Sequence, residues 1–228
     1  MIKNISNLGD AAVYCDFGSD VNEKINQNVI SYFNNLSKLV RDHKIKGINN
    51  ITPSYNKLII NFDLSITNYL EIKKEILNLN INNDYKNIEK KIKIPVCCDD
   101  EFGLDFDKIS IKSKLCKEEI LERYLDKEYF CYMTGFIAGM PFLGDIDKDI
   151  RCDRLETPRV KVPKGSVAVT EQFTNIYTFE SPGGWNIIGN TPKKIFDQLN
   201  SSEPALIKPG NKVIFYQISK EEYLNWNE

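Results

Sequence analysis

Apolar positions recur at helical spacing in only a few places along this chain. Ile25, Val29, Phe33, Leu36 and Val40 stand three or four residues apart and predict a helix over roughly 21–41. Ile72, Ile76 and Leu79 predict a second, with Thr67 placed to cap it. Ile120, Leu121, Tyr124 and Leu125 mark a third over about 117–126. Ala11 to Phe17, ending at Gly18, and the short apolar run Leu58 to Phe62 read as strands. The order strand, helix, strand, helix, followed by IEKKIKIPV as a further strand, predicts a small α/β sandwich. Seventeen of the 24 asparagines fall before residue 90, yet the hydrophobic periodicity persists beneath them.

After residue 128 the pattern changes. Short apolar runs, YFCYM, GSVAVT, NIYTF, WNIIG and KVIFYQI, alternate with Gly/Pro turns, which predicts an antiparallel barrel or sandwich. One helix is expected to interrupt it: Thr191 as cap, Pro192 as first residue, and Ile195, Phe196 and Leu199 as apolar face. Lys208 to Asn211 is a turn into the last strand. The fold class is α+β in two domains, 1–90 and 91–228, with the boundary near residues 82–92.

Composition narrows the function classes. With 228 residues, 42% of them hydrophobic, the chain can bury a real core. A net charge of −2 gives no basic excess for tracking nucleic-acid phosphates. No apolar run approaches a membrane span, and the N-terminus lacks the plan of a signal peptide, so a cytoplasmic protein is expected. The six cysteines show neither CxxC nor zinc spacing and read as free thiols of a reducing compartment. The single histidine, His43, is remote in sequence from all of them, which disfavours a Cys-His pair. The acidic run Asp99, Asp100, Glu101, Asp105, Asp107 lacks the spacing of a calcium loop and reads as a helix-leading loop, so no metal site is expected. There is no phosphate loop, no GxGxxG after a strand and no GxSxG. With no histidine after residue 43, proton transfer would fall to a carboxylate, a lysine, a tyrosine or a partner subunit.

The stretch Met133 to Pro192 holds the candidate chemistry. It interleaves glycine and proline with Phe, Tyr, Trp and Arg, as loops with a fixed backbone do when they surround something. Arg151, Arg154, Arg159, Lys161 and Lys164 line a segment stiffened by Pro158 and Pro163, a basic wall suited to an anion. Ser181-Pro182-Gly183-Gly184-Trp185 is a tight turn delivering a tryptophan, and its Gly-Gly pair can present backbone N–H groups to an anion or carbonyl oxygen. Gly135-Phe136 and Gly139 to Gly144 form a second glycine-aromatic loop, which places Phe142 as a candidate pocket wall.

IPVCCDDEFG, EEILERYLDKEYFCYMTGFIAGMPFLG, TPRVKVPKGSVAV, NIY, SPGGWNIIG and TP, in that order and spacing, resemble the B-subunit family of bacterial ATP-dependent 5-oxoprolinase. This is the KipI-like family, also called allophanate hydrolase subunit 1, and the opening LGDAAVYCDFG fits it too. The resemblance implies a small N-terminal α/β domain followed by a C-terminal cyclophilin-like antiparallel β-barrel. It implies a cytoplasmic subunit that pairs with a homologous C subunit. With an A subunit, that complex opens 5-oxoproline to glutamate at the expense of ATP. No nucleotide motif stands in this chain, so ATP is expected at the level of the complex. A related member instead inhibits a sporulation histidine kinase, and a homologous domain occurs in urea carboxylase. Carried over by position, the substrate pocket would comprise Phe136, Phe142, Arg154, Arg159, Tyr177, Gly183, Gly184 and Trp185. Arg159 would hold the substrate carboxylate and the Gly183-Gly184 amides would polarise the lactam carbonyl.

The chain departs from the family pattern at several points. Ala138 and Met140 replace the proline and second aromatic of GFxPGF. Glu171-Gln172-Phe173-Thr174-Asn175 stands where Gly-Gly-Gln-Thr-Gly is usual, Tyr124 where histidine is common, and Asn190 where IGRTP has arginine. These changes keep two other activities in view, a KipI-type kinase inhibitor and a diverged subunit acting on another amide or carboxylated small molecule.

Overall fold

The computed structural model describes residues 1–79, 81 and 90–227. The chain divides into two compact units, Met1–Ile88 and Glu89–Glu228. Most of the boundary expected near 82–92 lies outside the described residues. No described helix is long and apolar enough to cross a membrane.

The first unit runs β1 (Asn4–Asn7), β2 (Ala12–Asp16), α1 (Glu23–Arg41), β3 (Ile48–Pro53), β4 (Lys57–Phe62) and α2 (Tyr69–Leu77). Its strands form one antiparallel sheet in the order β1-β2-β4-β3. Val13, Cys15, Leu58 and Ile60 from the central strands share a buried cluster with Val29 and Leu36 of α1 and Ile72 and Ile76 of α2. Asn22 starts α1 by accepting the Ile25 N–H at 3.0 Å. Asn68, not Thr67, caps α2, its carboxamide oxygen accepting the N–H groups of Leu70 and Glu71. Thr67 donates its hydroxyl to Glu71 at 2.9 Å instead. The strands β1 and β3 carry no apolar run to announce them, because NISN and INNITP are mostly polar. Both lie at sheet edges, where partial exposure tolerates that composition.

The second unit begins with β5 (Lys91–Val96), α3 (Phe106–Ser113), α4 (Lys117–Leu125), β6 (Glu128–Thr134) and β7 (Pro141–Gly144). It continues with β8 (Arg159–Val162), β9 (Ser166–Thr170), β10 (Phe173–Ile176), β11 (Ser181–Gly183), β12 (Asn186–Asn190), β13 (Lys212–Gln217) and α5 (Lys220–Leu224). Seven strands form a sheet in the order β12-β9-β10-β7-β6-β13-β5, while β8 and β11 make a separate ribbon. The IEKKIKIPV strand therefore does not extend the first sandwich: β5 pairs in parallel with β13 over six register positions.

The two edge strands approach each other at one end. Cys97 and Asn190 exchange backbone hydrogen bonds of 2.9 Å in both directions, joining the end of β12 to the residue after β5. The curled sheet thereby closes into a barrel. Its main core draws at least one residue from each of the seven strands, among them Ile94, Tyr129, Leu143, Val167, Ile176, Ile188 and Phe215. Phe106 and Ile109 of α3 and Ile120, Leu121 and Tyr124 of α4 complete it.

The helix expected after Pro192 does not form. Thr191 Oγ1 accepts the Lys193 N–H at 3.2 Å, and Phe196 bridges to Ala205 in extended conformation. The physical reason is the short apolar face: Ile195 is buried in the barrel core, but Leu199 is 85% exposed and anchors nothing.

Candidate functional site

Antiparallel register fixes which side chains share the outer face of the barrel. Ile187, Ala168, Asn175 and Phe142 pair in sequence across β12, β9, β10 and β7, so they form one row. Their neighbours Ile188, Val167, Thr174 and Leu143 point the other way. Thr174 Oγ1, for example, meets the Tyr124 hydroxyl at 2.8 Å inside the barrel. Two residues beyond Asn175 stands Tyr177, on the same outer face as Ala168, Ile187, Trp185, Met140 and Val162, which form a second buried cluster. Phe142 packs on that cluster and meets Trp185 edge-on, ring centroids 5.6 Å apart.

The ribbon of β8 and β11 lies beside this face. Gly183 is the register partner of Arg159. A Cβ on Gly183 would collide with the Tyr177 hydroxyl, so the phenol lies directly against this glycine backbone. Gly184 is open by comparison: a Cβ there would stand 3.5 Å from Pro158 and 3.6 Å from Nε and Nη2 of Arg154. The Arg154 guanidinium thus runs along the Gly184 backbone. It is exposed, and no described residue pairs with it. Burial pushes the Tyr177 pKa up, while the Asn175 amide, Arg154, the Trp185 N–H and Arg159 pull it down. Tyr177 is therefore a neutral phenol at physiological pH.

Arg159 has a different fate from the one expected. Its two terminal nitrogens grip Asp105 at 3.0 and 2.8 Å, a bidentate pair. Asp105 is buried and also accepts the Ile187 N–H at 2.6 Å, so it ties the start of α3 to both β12 and the ribbon. The fork expected to hold a substrate carboxylate already holds a protein carboxylate. The sequence reads Asp105 as part of a solvated acidic loop; its pairing with a residue 54 positions away carries no local signal.

Phe142, Tyr177, Trp185, Gly183, Gly184 and Arg154 come together at this face. Phe136 does not join them: it sits at φ 68° in the loop before β7 and is 70% exposed. Its neighbour Ile137 packs on the cluster in its place. Thr178 donates its hydroxyl to the Ala138 carbonyl at 2.7 Å, tying that loop to the end of β10. Asn175 is not among the expected site residues. It enters the sequence reading only as a departure from glycine, although strand alternation around Thr174 aims it at the same face as Tyr177.

A cavity of about 360 Å³ on this unit is bordered by Tyr177 together with Lys164, Lys193, Lys194, Asn190 and Tyr223, and by no carboxylate. Among the described residues no group of three or more His, Cys, Asp or Glu could hold a metal ion. The three lysines answer phosphate charge, while a magnesium ion bridging such phosphates would meet no carboxylate among the residues that border the cavity.

Comparison with known proteins agrees with this architecture. Residues 3–207 match the family described as carboxyltransferase domain, subdomain C and D. The B subunit of 5-oxoprolinase from Bacillus subtilis (strain 168) is 30% identical over 98% of this chain and 96% of its own length. The same-named protein of Haemophilus influenzae is 38% identical over 55% of this chain and 59% of its own. The crystal structure of TTHA0988 superposes with a TM-score of 0.80 at 27% identity, over 92% of this chain; the chain spans 40% of that protein. With the outer-face cluster, the ribbon and the SPGGW turn in place on a matching barrel, the chain belongs to the 5-oxoprolinase B-subunit family of carboxyltransferase-type C/D domains.

Proposed function

We propose that this chain is the B component of an ATP-dependent amide-hydrolysing complex that opens 5-oxoproline to glutamate with homologous C and A subunits. The observation that carries the reading is Arg154, an unpaired guanidinium lying along the Gly184 backbone beside a buried aromatic wall. 5-Oxoproline offers a carboxylate and a lactam carbonyl. Arg154 pairs with the carboxylate, taking the part first expected of Arg159. No described residue accepts the Gly184 N–H, which leaves it to polarise the carbonyl. Tyr177, neutral and pressed against Gly183, holds a proton near the same point. The Phe142–Trp185 wall packs the ring and excludes water. ATP supplies the driving force for opening an unstrained lactam, and the described residues route no step through it.

The test is co-expression with A and C subunits, co-purification, and an assay for ATP-dependent glutamate release. Arg154→Ala is expected to raise KM for 5-oxoproline roughly 10–100-fold, the loss of one charge-assisted hydrogen-bonded pair. No complex and no glutamate from the wild-type subunits would overturn the reading.

A further inference from the structure

Asn175 is the one polar member of an otherwise apolar row. Ile187, Ala168 and Phe142 flank it across three strands. It is 0% exposed, yet neither its carboxamide oxygen nor its nitrogen has a hydrogen bond to any described residue. The Tyr177 hydroxyl lies beside it as a weak hydrogen-bonding neighbour, which lowers the phenol pKa, but the pair does not meet the geometry of a formed bond. Buried polar side-chain atoms are nearly always satisfied, so a carboxamide with both ends open calls for a cause.

We propose that Asn175 is the specificity-determining residue of the outer-face site and reads a cis amide, as found in a lactam or a ureido group. Such a ligand presents an N–H and a C=O side by side. The Asn175 oxygen accepts that N–H while its NH₂ donates to that C=O, a two-point pairing that meets both open ends of the carboxamide. The aromatic neighbours fit this geometry. Phe142 and Phe173 are only half-buried, so their rings can swing aside to admit a planar ligand and then pack on it. Arg154 stays free for a carboxylate on the same molecule. The inference rests on the lactam reading of the site and adds to it the residue that recognises the amide.

The test compares the wild-type full chain with Asn175→Leu, which keeps size but loses both polar atoms. The probes are 5-oxoproline, 2-pyrrolidone and urea, followed by ligand-observed NMR and calorimetry, with cyclopentanone and proline as controls lacking one half of the amide. The wild type is expected to bind the amide probes and not the controls. Asn175→Leu is expected to lose at least tenfold in affinity while its thermal midpoint stays level or rises, because an unmet polar group has been removed. Should Asn175→Leu fail to fold, Asn175→Ala is read in the same way. Affinity within twofold of wild type would overturn the proposal. So would a clear fall in midpoint for both variants, which would mark the amide as a structural group bonded to fixed water. Absence of saturable binding of any amide probe by the wild type would also overturn it. Glutamate release by the complex with an unchanged KM in Asn175→Leu removes this inference and leaves the function standing. Binding of urea or 2-pyrrolidone without 5-oxoproline turnover does the reverse.

Discussion

Arg154 and Arg159 sit five residues apart in one basic segment, and only the structure separates their roles. Removing Arg159 strands Asp105 in a buried position with just the Ile187 N–H to answer it. The Arg159 side chain is 28% exposed, so its loss falls below the full penalty for breaking a buried pair. Arg159→Ala should cost about 2–3 kcal/mol of stability. Arg154→Ala should stay within about 0.5 kcal/mol, as expected of an exposed, unpaired side chain. Urea denaturation of the two variants reads this directly; equal losses would mean that the Asp105 clamp does not matter. The glycines of the same site divide likewise. Gly183→Ala drives a methyl into the buried Tyr177 hydroxyl and should cost about 1–3 kcal/mol. Gly184→Ala meets only ordinary contacts at 3.5–3.6 Å and should fold normally. Residue types and spacing exposed this constellation in the sequence. They could not expose which arginine was already taken, because Asp105 reaches Arg159 only once α3 and the ribbon are assembled.

The strands were legible where their apolar runs were unbroken: β6, β9, β12 and β13 fall on YFCYM, GSVAVT, WNIIG and KVIFYQI to within a few residues. Pairing was not legible. The parallel β5–β13 contact joins segments more than 100 residues apart, and nothing local in IEKKIKIPV distinguishes a barrel strand from a fifth sandwich element. Barrel closure depends on a glycine that the motif SPGGWNIIG contains but does not explain. A Cβ on Gly189 would stand 2.7 Å from both the Cys97 carbonyl oxygen and Val96 Cγ2. Gly189→Ala should therefore open the Cys97–Asn190 bridge. Amide exchange at Cys97 and Asn190 should rise well above that of the strand interiors; unchanged protection would show that closure does not need the glycine. In the first sheet, Asp16 and Lys57 are register partners on β2 and β4, joined at 2.6 Å. The Lys57 hydrogen bond, helped by the Gly18 N–H, holds the Asp16 carboxyl below its ordinary range. A depressed carboxyl stabilises the fold above its unfolded pKa of about 3.9 and loses that contribution as pH falls further through the folded value. Lys57→Met should accordingly flatten the acid limb of the stability curve and leave its slope above pH ~5 unchanged. A parallel downward shift at every pH would contradict the assignment.

Cysteine burial turns the two cores into separately readable objects. Cys15 lies in the core of the first unit, whereas Cys98, Cys131 and Cys152 lie in the barrel core and Cys97 is buried at the closure. Cys116, before α4, is the exposed one of the six. Burial pushes the Cys15 and Cys98 thiols up to about 12 and Cys152 to about 11, so these sulfurs are neither accessible nor ionised near neutrality. All six cysteines are free thiols. A thiol reagent added to the native chain should label one cysteine promptly, identified by peptide mass as Cys116. Raising the pH from 7 to 9 should speed that reaction without recruiting others, because the remaining sulfurs wait on unfolding rather than on deprotonation. In rising urea the label at Cys15 should then track loss of the first core. The labels at Cys98, Cys131 and Cys152 should appear together, tracking loss of the barrel, since three sulfurs in one cooperative core become reachable in one event. A second cysteine labelled as fast as Cys116 in the native chain would contradict the buried positions. Release of Cys152 ahead of Cys98 and Cys131 would show that the segment carrying Arg154, which begins at Cys152, opens before the barrel does.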